Sequence, residues 1–169
     1  MALTKIQSLG ITDGTIVNAD INASAAIAGT KLSGAGKVLQ VITATDTTAR
    51  TTTSTSFVTA SSTLSINITP SSASNKIFLI YNTYAYANAG SILTTIFRDS
   101  TNAANTNGLG RFDSQGGVQD GHICTSFLDS PSTTSSINYT VRFRTNTTAT
   151  AQIGDSTETA TLTAFEIAG

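Results

Sequence analysis

The chain has little charge and almost none of the residues that cross-link proteins or build reactive centres. Charged residues make up 11% of its 169 positions, against about a quarter in an average globular domain. It contains no Trp, one His, two Pro and one Cys. Because Cys124 has no second cysteine to pair with, an internal disulfide is excluded. Stability must therefore come from the burial of apolar side chains and, we expect, from assembly.

The near-zero net charge and the lack of long apolar runs exclude further classes of protein. A formal net charge of −1 gives no electrostatic footprint for nucleic acid or for an anionic membrane. No uninterrupted apolar stretch reaches the roughly 18 residues that a membrane-spanning helix needs. Met1–Lys5 has no basic region followed by an apolar run, so we expect no secretory signal. We therefore expect no nucleic-acid partner and no membrane insertion.

The residues that are abundant favour β structure. Ser and Thr together supply about 30% of the chain, and β-branched Thr and Ile suit strands, whereas Ser, Asn and Gly suit turns. Disordered chains are poor in aromatic residues, yet Phe and Tyr recur here from Phe57 to Phe165. The composition therefore predicts an all-β domain with a real core.

The first 34 residues follow a different pattern, in which large apolar residues recur at a step of about five. Helices place apolar residues at steps of three and four, and strands at a step of two. A single narrow segment cannot bury such residues without a second layer. We expect the following residues to be buried only in an assembled particle, against other copies or against a docking protein: Ile6, Ile11, Ile16, Ile21, Ile27 and Leu32.

The same stretch carries a family resemblance. The pattern DGTIVNADINASAAIAGTKL, residues 13–32, resembles the Ala/Asn/Ile-rich shaft motif of tail-fibre proteins from marine bacteriophages and cyanophages. The remainder, from GKVLQVITATDTTARTTTSTSF to TATLTAFEIAG, resembles the β-rich C-terminal domains of those proteins. The resemblance implies a virion structural protein with a shaft or attachment segment at residues 1–34 and a head domain at residues 35–169.

Short apolar patterns separated by turn residues run through residues 35–169 and predict a jelly-roll-like antiparallel β-sandwich of eight to ten strands. A Thr-rich stretch at residues 47–59 is predicted to be an exposed edge strand or a loop. Residues 102–121 are predicted to form long loops with one short strand at most. The predicted strands are Val38–Thr47, Thr63–Thr69, Lys76–Ala87, Ile92–Asp99, His122–Asp129, Ser135–Thr145, Thr148–Ile153 and Thr159–Ala168.

The last predicted strand bears on assembly, because it is apolar on both faces and ends beside the C-terminus. Leu162, Ala164 and Ala168 share one face, and Phe165 and Ile167 share the other. Chain ends fray unless they are tied down. We expect this strand to be central in its sheet, with Phe165 and Ile167 near the threefold axis of a homotrimer. Burial within its own domain is the alternative.

One cluster contains reactive residue types, at Asp120, His122 and Cys124. His122 and Cys124 are two apart, so on a strand they point outward side by side, which is poor geometry for a nucleophile and its base. A metal site needs at least three converging ligands, which Asp113 could complete only if its loop folded back. Structural roles are favoured, and no catalytic residue, metal or cofactor is predicted.

A long polar loop on a compact β scaffold is a suitable place for binding. An aromatic ring beside Asn, Asp and Arg side chains is typical of saccharide sites, although a solvated loop or a subunit contact is the alternative. Arg142 and Arg144 are expected to be solvated or paired with Glu158 or Glu166. The candidate receptor-binding residues are Tyr84, Tyr86, Arg111, Phe112 and Asp113.

These observations lead to one hypothesis and one alternative. The chain is expected to be a non-enzymatic virion protein, made in the host cytoplasm, that forms a trimeric tail fibre. Its N-terminal segment would bind other virion proteins of the tail, baseplate or capsid, and its β domain would bind a host surface polysaccharide through three linked weak sites. The alternative is a capsid decoration or head-fibre protein that stabilises the particle without binding a receptor.

Overall fold

A computed structural model describes residues 36–114 and 116–169. All of them lie in the second of the two units into which the chain divides, Ala35–Gly169. The predicted shaft positions lie outside the described residues, so their role stays a prediction. These positions are Ile6, Ile11, Ile16, Ile21, Ile27 and Leu32.

The described residues contain twelve strands and no helix, and therefore no helix that could cross a membrane. This number of strands exceeds the predicted eight to ten, and four of the strands are only two or three residues long. The strands are β1 Val38–Asp46, β2 Arg50–Thr52, β3 Val58–Thr59, β4 Ser65–Ile68, β5 Lys76–Ala87, β6 Ser91–Arg98, β7 Thr101–Asn102, β8 Gly110–Asp113, β9 Gln119–Asp129, β10 Ile137–Thr145, β11 Ala151–Ile153 and β12 Ala160–Ile167.

The strands form two six-stranded antiparallel sheets. In the first, here called the front sheet, the long strands follow the order β1-β12-β5-β9, and β11 and β2 extend it beside the end of β5. In the second, the back sheet, the order is β4-β10-β6-β8, with β3 and β7 as short additions. The chain passes repeatedly between the sheets, which is the connection pattern of a jelly roll. The predicted antiparallel β-sandwich is confirmed.

The core lies between the two sheets and follows from the alternation of side chains along each strand. Along β5, Ile77, Leu79 and Tyr81 face inward and are at most 1% exposed. Along β10, Tyr139 and Phe143 do the same. The Thr-rich stretch supplies only the short edge strands β2 and β3, as predicted. β12 lies between β1 and β5, so the predicted central position of the last strand is confirmed.

A buried carboxylate at Glu166 is a feature that the sequence analysis missed. Glu166 lies on the inward face of β12 and is 1% exposed. It accepts hydrogen bonds from Gln40 Nε2 at 2.6 Å, from the Ser71 backbone N at 2.6 Å and from Asn75 Nδ2 at 2.5 Å. Burial raises the pKa of Glu166, but these hydrogen bonds outweigh it and hold the pKa below its ordinary value. Glu166 therefore ties β1 and the loop before β5 to the final strand.

A second buried carboxylate joins the two sheets. Asp129, at the end of β9, accepts two hydrogen bonds from Arg98 Nη1 at 2.9 and 3.0 Å and one from the Tyr139 hydroxyl at 2.5 Å. Burial, followed by the hydrogen bond to Asp129, raises the pKa of Tyr139 above its ordinary value. Arg98 and Tyr139 belong to the back sheet and Asp129 to the front sheet, so this cluster fixes one sheet against the other.

Candidate functional site

The structure does not bring the five candidate receptor-binding residues together. Tyr84 and Tyr86 lie on the outer face of the front sheet, on the opposite side of β5 from buried Ala85 and Ala87. Arg111 and Asp113 lie on β8 in the back sheet. Phe112 packs against the core between the sheets. The five residues therefore do not form one site. Two lie on the outer face of the front sheet, two lie on β8 of the back sheet, and Phe112 packs against the core.

The outer face of the back sheet carries a cleft of about 430 Å³. Its centre is Leu93 on β6, which pairs with Arg144 on β10 to one side and with Arg111 on β8 to the other. Asn146 lines it just beyond the end of β10. We call this the Leu93 cleft. Its volume falls within the range of about 300–1,000 Å³ that is usual for ligand pockets.

The remaining wall of the Leu93 cleft is the segment 107–110, which is held against β6 by main-chain contacts. Leu109 N donates a hydrogen bond to the Thr94 carbonyl at 2.8 Å, and Asn107 N donates to Asn105 Oδ1 at 2.8 Å. Gly108 has φ +93°, and a Cβ there would lie 2.7 Å from the Thr94 carbonyl oxygen. A Cβ at Gly110 would lie 2.6 Å from Thr94 Oγ1. Glycine at both positions is thus needed for this close approach.

The arginines of β10 stack on aromatic rings, which the sequence analysis did not foresee. Arg142 lies with its guanidinium carbon 3.9 Å from the centre of the Phe97 ring, and Arg144 lies 5.0 Å from that of Phe57. Both arginines share the outer face, as expected. Of the alternatives expected for them, an ion pair with Glu166 is wrong, because Glu166 faces the core. Cation–π contact holds each guanidinium in place without neutralising it.

Arg111 is oriented by an acidic neighbour. Its Nε donates a hydrogen bond to Asp113 Oδ1 at 2.8 Å, and the same oxygen accepts a hydrogen bond from Ser91 Oγ. The bonds from Ser91 and Arg111 hold the pKa of Asp113 below its ordinary value. Asp113 is therefore ionised at neutral pH and directs the Arg111 side chain.

The outer face of the front sheet is apolar at one end. A single row across four strands joins Val41 of β1, Phe165 of β12, Phe78 of β5 and Leu128 of β9 through successive register pairs. We call these four residues the apolar row. Val41 is 53% exposed and Leu128 is 56% exposed. Exposed apolar residues joined in this way are typical of an interaction surface rather than of a solvated one.

The other end of this face is polar and contains the cluster that the sequence analysis considered reactive. His122 and Cys124 point outward from β9 and are exposed, as expected. His122 Nε2 lies 3.4 Å from Glu158 Oε2, and its ring contacts Tyr84 edge-on at 6.3 Å. Asp113 lies on β8, in the other sheet. Within residues 36–114 and 116–169, no group of three or more His, Cys, Asp or Glu could hold a metal ion.

Comparison with protein-family models and with curated proteins found no match for this chain.

Proposed function

We propose that the chain is a structural protein of a bacteriophage particle, a homotrimeric tail fibre whose C-terminal β domain binds the host cell surface. The resemblance of residues 13–32 to tail-fibre shaft motifs supports the phage assignment. The observation that carries the proposal is the difference between the two outer faces. One is an apolar sheet surface suited to assembly, and the other is a polar cleft suited to a ligand.

The apolar row supports a closed ring of identical subunits. Its two ends, Val41 on β1 and Leu128 on β9, lie on the opposite edge strands of the front sheet. A contact between unlike edges is heterologous, and such contacts close into a ring when the rotation between neighbours allows it. Three copies would bring Phe78 and Phe165 toward a common axis. This arrangement uses Phe165 and Ile167, which share the outer face of β12, in the role expected of them.

An assembly of this kind leaves the Leu93 cleft free, since it opens on the opposite sheet. Three copies would then present three clefts around one axis. Weak individual sites on a rigid head gain effective affinity when they bind a repetitive surface such as a polysaccharide. The proposed mechanism of attachment is avidity rather than a single tight contact.

The location of the protein on the particle tests the proposal most directly. We expect reconstructed density at the tail and a solution mass equal to three chains. Purified protein should also adsorb to host cells. Density on the capsid faces, without adsorption to cells, would instead support the decoration or head-fibre alternative.

A further inference from the structure

We propose that the Leu93 cleft binds the carboxylate of an acidic sugar, with Arg111 and Arg144 as the anion contacts. The inference rests on the proposed host-binding function and specifies its ligand class. The strand register places the two arginines on either side of Leu93, because Leu93 pairs directly with both of them. Adjacent strands lie about 4.8 Å apart, so the two arginines leave the sheet about 10 Å apart with Leu93 between them.

The polar groups that line the cleft offer more hydrogen-bond donors than acceptors. Asn146 uses its Oδ1 to accept a hydrogen bond from Ser91 N at 2.6 Å, and its Nδ2 donates to no other residue in the part of the chain that the structure describes. Asn107 makes no side-chain hydrogen bond to the described residues. Arg111 donates its Nε to Asp113, and its two terminal amino groups bond to none of residues 36–114 and 116–169. A ligand rich in acceptors complements such a lining, and a carboxylate matches a guanidinium with two parallel hydrogen bonds.

The positive charge in the cleft is held in place and only partly balanced. Arg144 Nη1 donates to the Thr55 carbonyl at 3.4 Å, and its guanidinium lies over Phe57. Among the residues that the structure describes, Arg144 has no acidic partner within ion-pair distance. Asp113 neutralises only Arg111, so one positive charge remains for the ligand. A neutral sugar would leave that charge unused.

The apolar part of the lining favours a sugar over a bare anion. Leu93 forms the floor and is 7% exposed, and Leu109 lines the wall beside it. The small apolar surface that Leu93 and the partly buried Leu109 leave exposed can contact the C–H face of a pyranose ring, which a simple inorganic ion does not need. The wall is fixed by the Thr94 hydrogen bond and by Gly108 and Gly110, so little ordering is required on binding.

The test is a titration of the full chain with galacturonate and glucuronate, monitored by NMR of the Asn and Arg side chains, with galactose and inorganic phosphate as comparison probes. We expect both uronates to perturb the signals of Asn107, Asn146 and Arg111 at millimolar concentration, and galactose to leave them unchanged. No response to either uronate overturns the proposal. A stronger response of the same signals to phosphate than to galacturonate also overturns it, in favour of a phosphorylated ligand.

Matched variants separate the cleft from general charge. Arg144→Gln should weaken uronate binding at least tenfold. Arg142→Gln removes the same charge two residues earlier on the same face of β10 and should change uronate binding less than twofold. Equal losses in the two variants would contradict a specific site. Undiminished adsorption of Arg144→Gln to host cells would overturn the acidic-sugar inference and leave host attachment standing. Capsid location without adsorption would instead overturn the proposed function itself.

Discussion

Phe78 and Phe165 lie side by side on the outer face of the front sheet, with ring centroids 6.2 Å apart and ring planes inclined by 39°. They are direct register partners between β5 and β12. Two aromatic rings on a sheet face that has no second layer within the described domain are costly to leave in water. The pair therefore marks the centre of the surface through which we expect copies of the chain to assemble.

Leu128→Ser tests this surface with little risk to the protomer, because Leu128 is 56% exposed. Burial of a leucine side chain contributes about 1.5–3 kcal/mol, so its loss at each contact should raise the dissociation constant of the trimer at least tenfold. Sedimentation equilibrium measures the change.

Val118→Ser is the matched control for assembly, since Val118 is 62% exposed but lies outside the apolar row. This variant should leave the mass of the assembled protein in solution unchanged. If the parent protein is a monomer, or if Leu128→Ser forms an equally stable trimer, the prediction that this face mediates assembly is wrong.

Acid should weaken the fold through Asp46. Burial raises the pKa of Asp46, but hydrogen bonds from Ser61 and Thr48 outweigh it and lower the pKa from 3.8 to about 2. A depressed carboxyl pKa stabilises the folded state above the unfolded value, and this contribution is lost as pH falls through the folded value. Asp46→Asn should therefore lower the free energy of unfolding by about 2 kcal/mol at neutral pH.

The difference between parent and Asp46→Asn should shrink between pH 3.8 and about pH 2. Denaturant unfolding at a series of pH values measures it. Glu158→Gln is the control, because the side chain of Glu158 is 45% exposed and takes no part in the buried network. A difference that stays constant down to pH 2 would show that Asp46 acts through packing rather than through its charge.

Gly108→Ala should damage both the fold and the Leu93 cleft. Gly108 has φ +93°, and a Cβ there would lie 2.7 Å from the Thr94 carbonyl oxygen. A non-glycine residue in such a conformation costs about 1–3 kcal/mol. Thermal unfolding should show this loss. Gly117→Ala serves as the control, because nothing lies within 4 Å of a Cβ at that position. Equal melting temperatures for the two variants would contradict the steric account.

Asp129→Asn should destabilise the contact between the sheets. It removes the charge that binds Arg98 and the Tyr139 hydroxyl. Breaking a fully buried pair costs about 3–5 kcal/mol. Because the side chain of Arg98 is 34% exposed, solvent screens part of the interaction, and we expect Asp129→Asn to lower the free energy of unfolding by about 2 kcal/mol.

Asp113→Asn is the matched comparison for Asp129→Asn in denaturant unfolding. It breaks a pair whose side chains are 61% and 40% exposed, so solvent screening should make its cost clearly smaller than that of Asp129→Asn. A larger loss of unfolding free energy in Asp113→Asn than in Asp129→Asn would contradict the greater stabilising role of Asp129.

Much of the fold follows from local pattern. Alternation along Lys76–Ala87 and along residues 135–145 predicts strands whose successive side chains lie on opposite faces, and both strands form with alternating burial. The sequence also separates the faces of the last strand correctly, with Leu162 and Ala164 inward and Phe165 and Ile167 outward. It does so because a strand places successive side chains on opposite faces, so period and polarity suffice.

Glu166 shows where this local rule conflicts with residue chemistry. Its position in the alternation places it inward with Ala164, whereas its charge favours water. The donors that make burial possible come from Gln40, Ser71 and Asn75. They are distant in sequence, so no local pattern could supply them. The alternative in which Glu166 pairs with Arg142 or Arg144 is wrong for this reason.

Both candidate surfaces were decided by cross-strand register. The apolar row combines residues 41, 78, 128 and 165, and the Leu93 cleft combines residues 93, 111 and 144. The sequence by itself determined which residues share a face of their strand. Only the tertiary structure decided which of them are neighbours, because register depends on how every strand and turn packs into the two sheets.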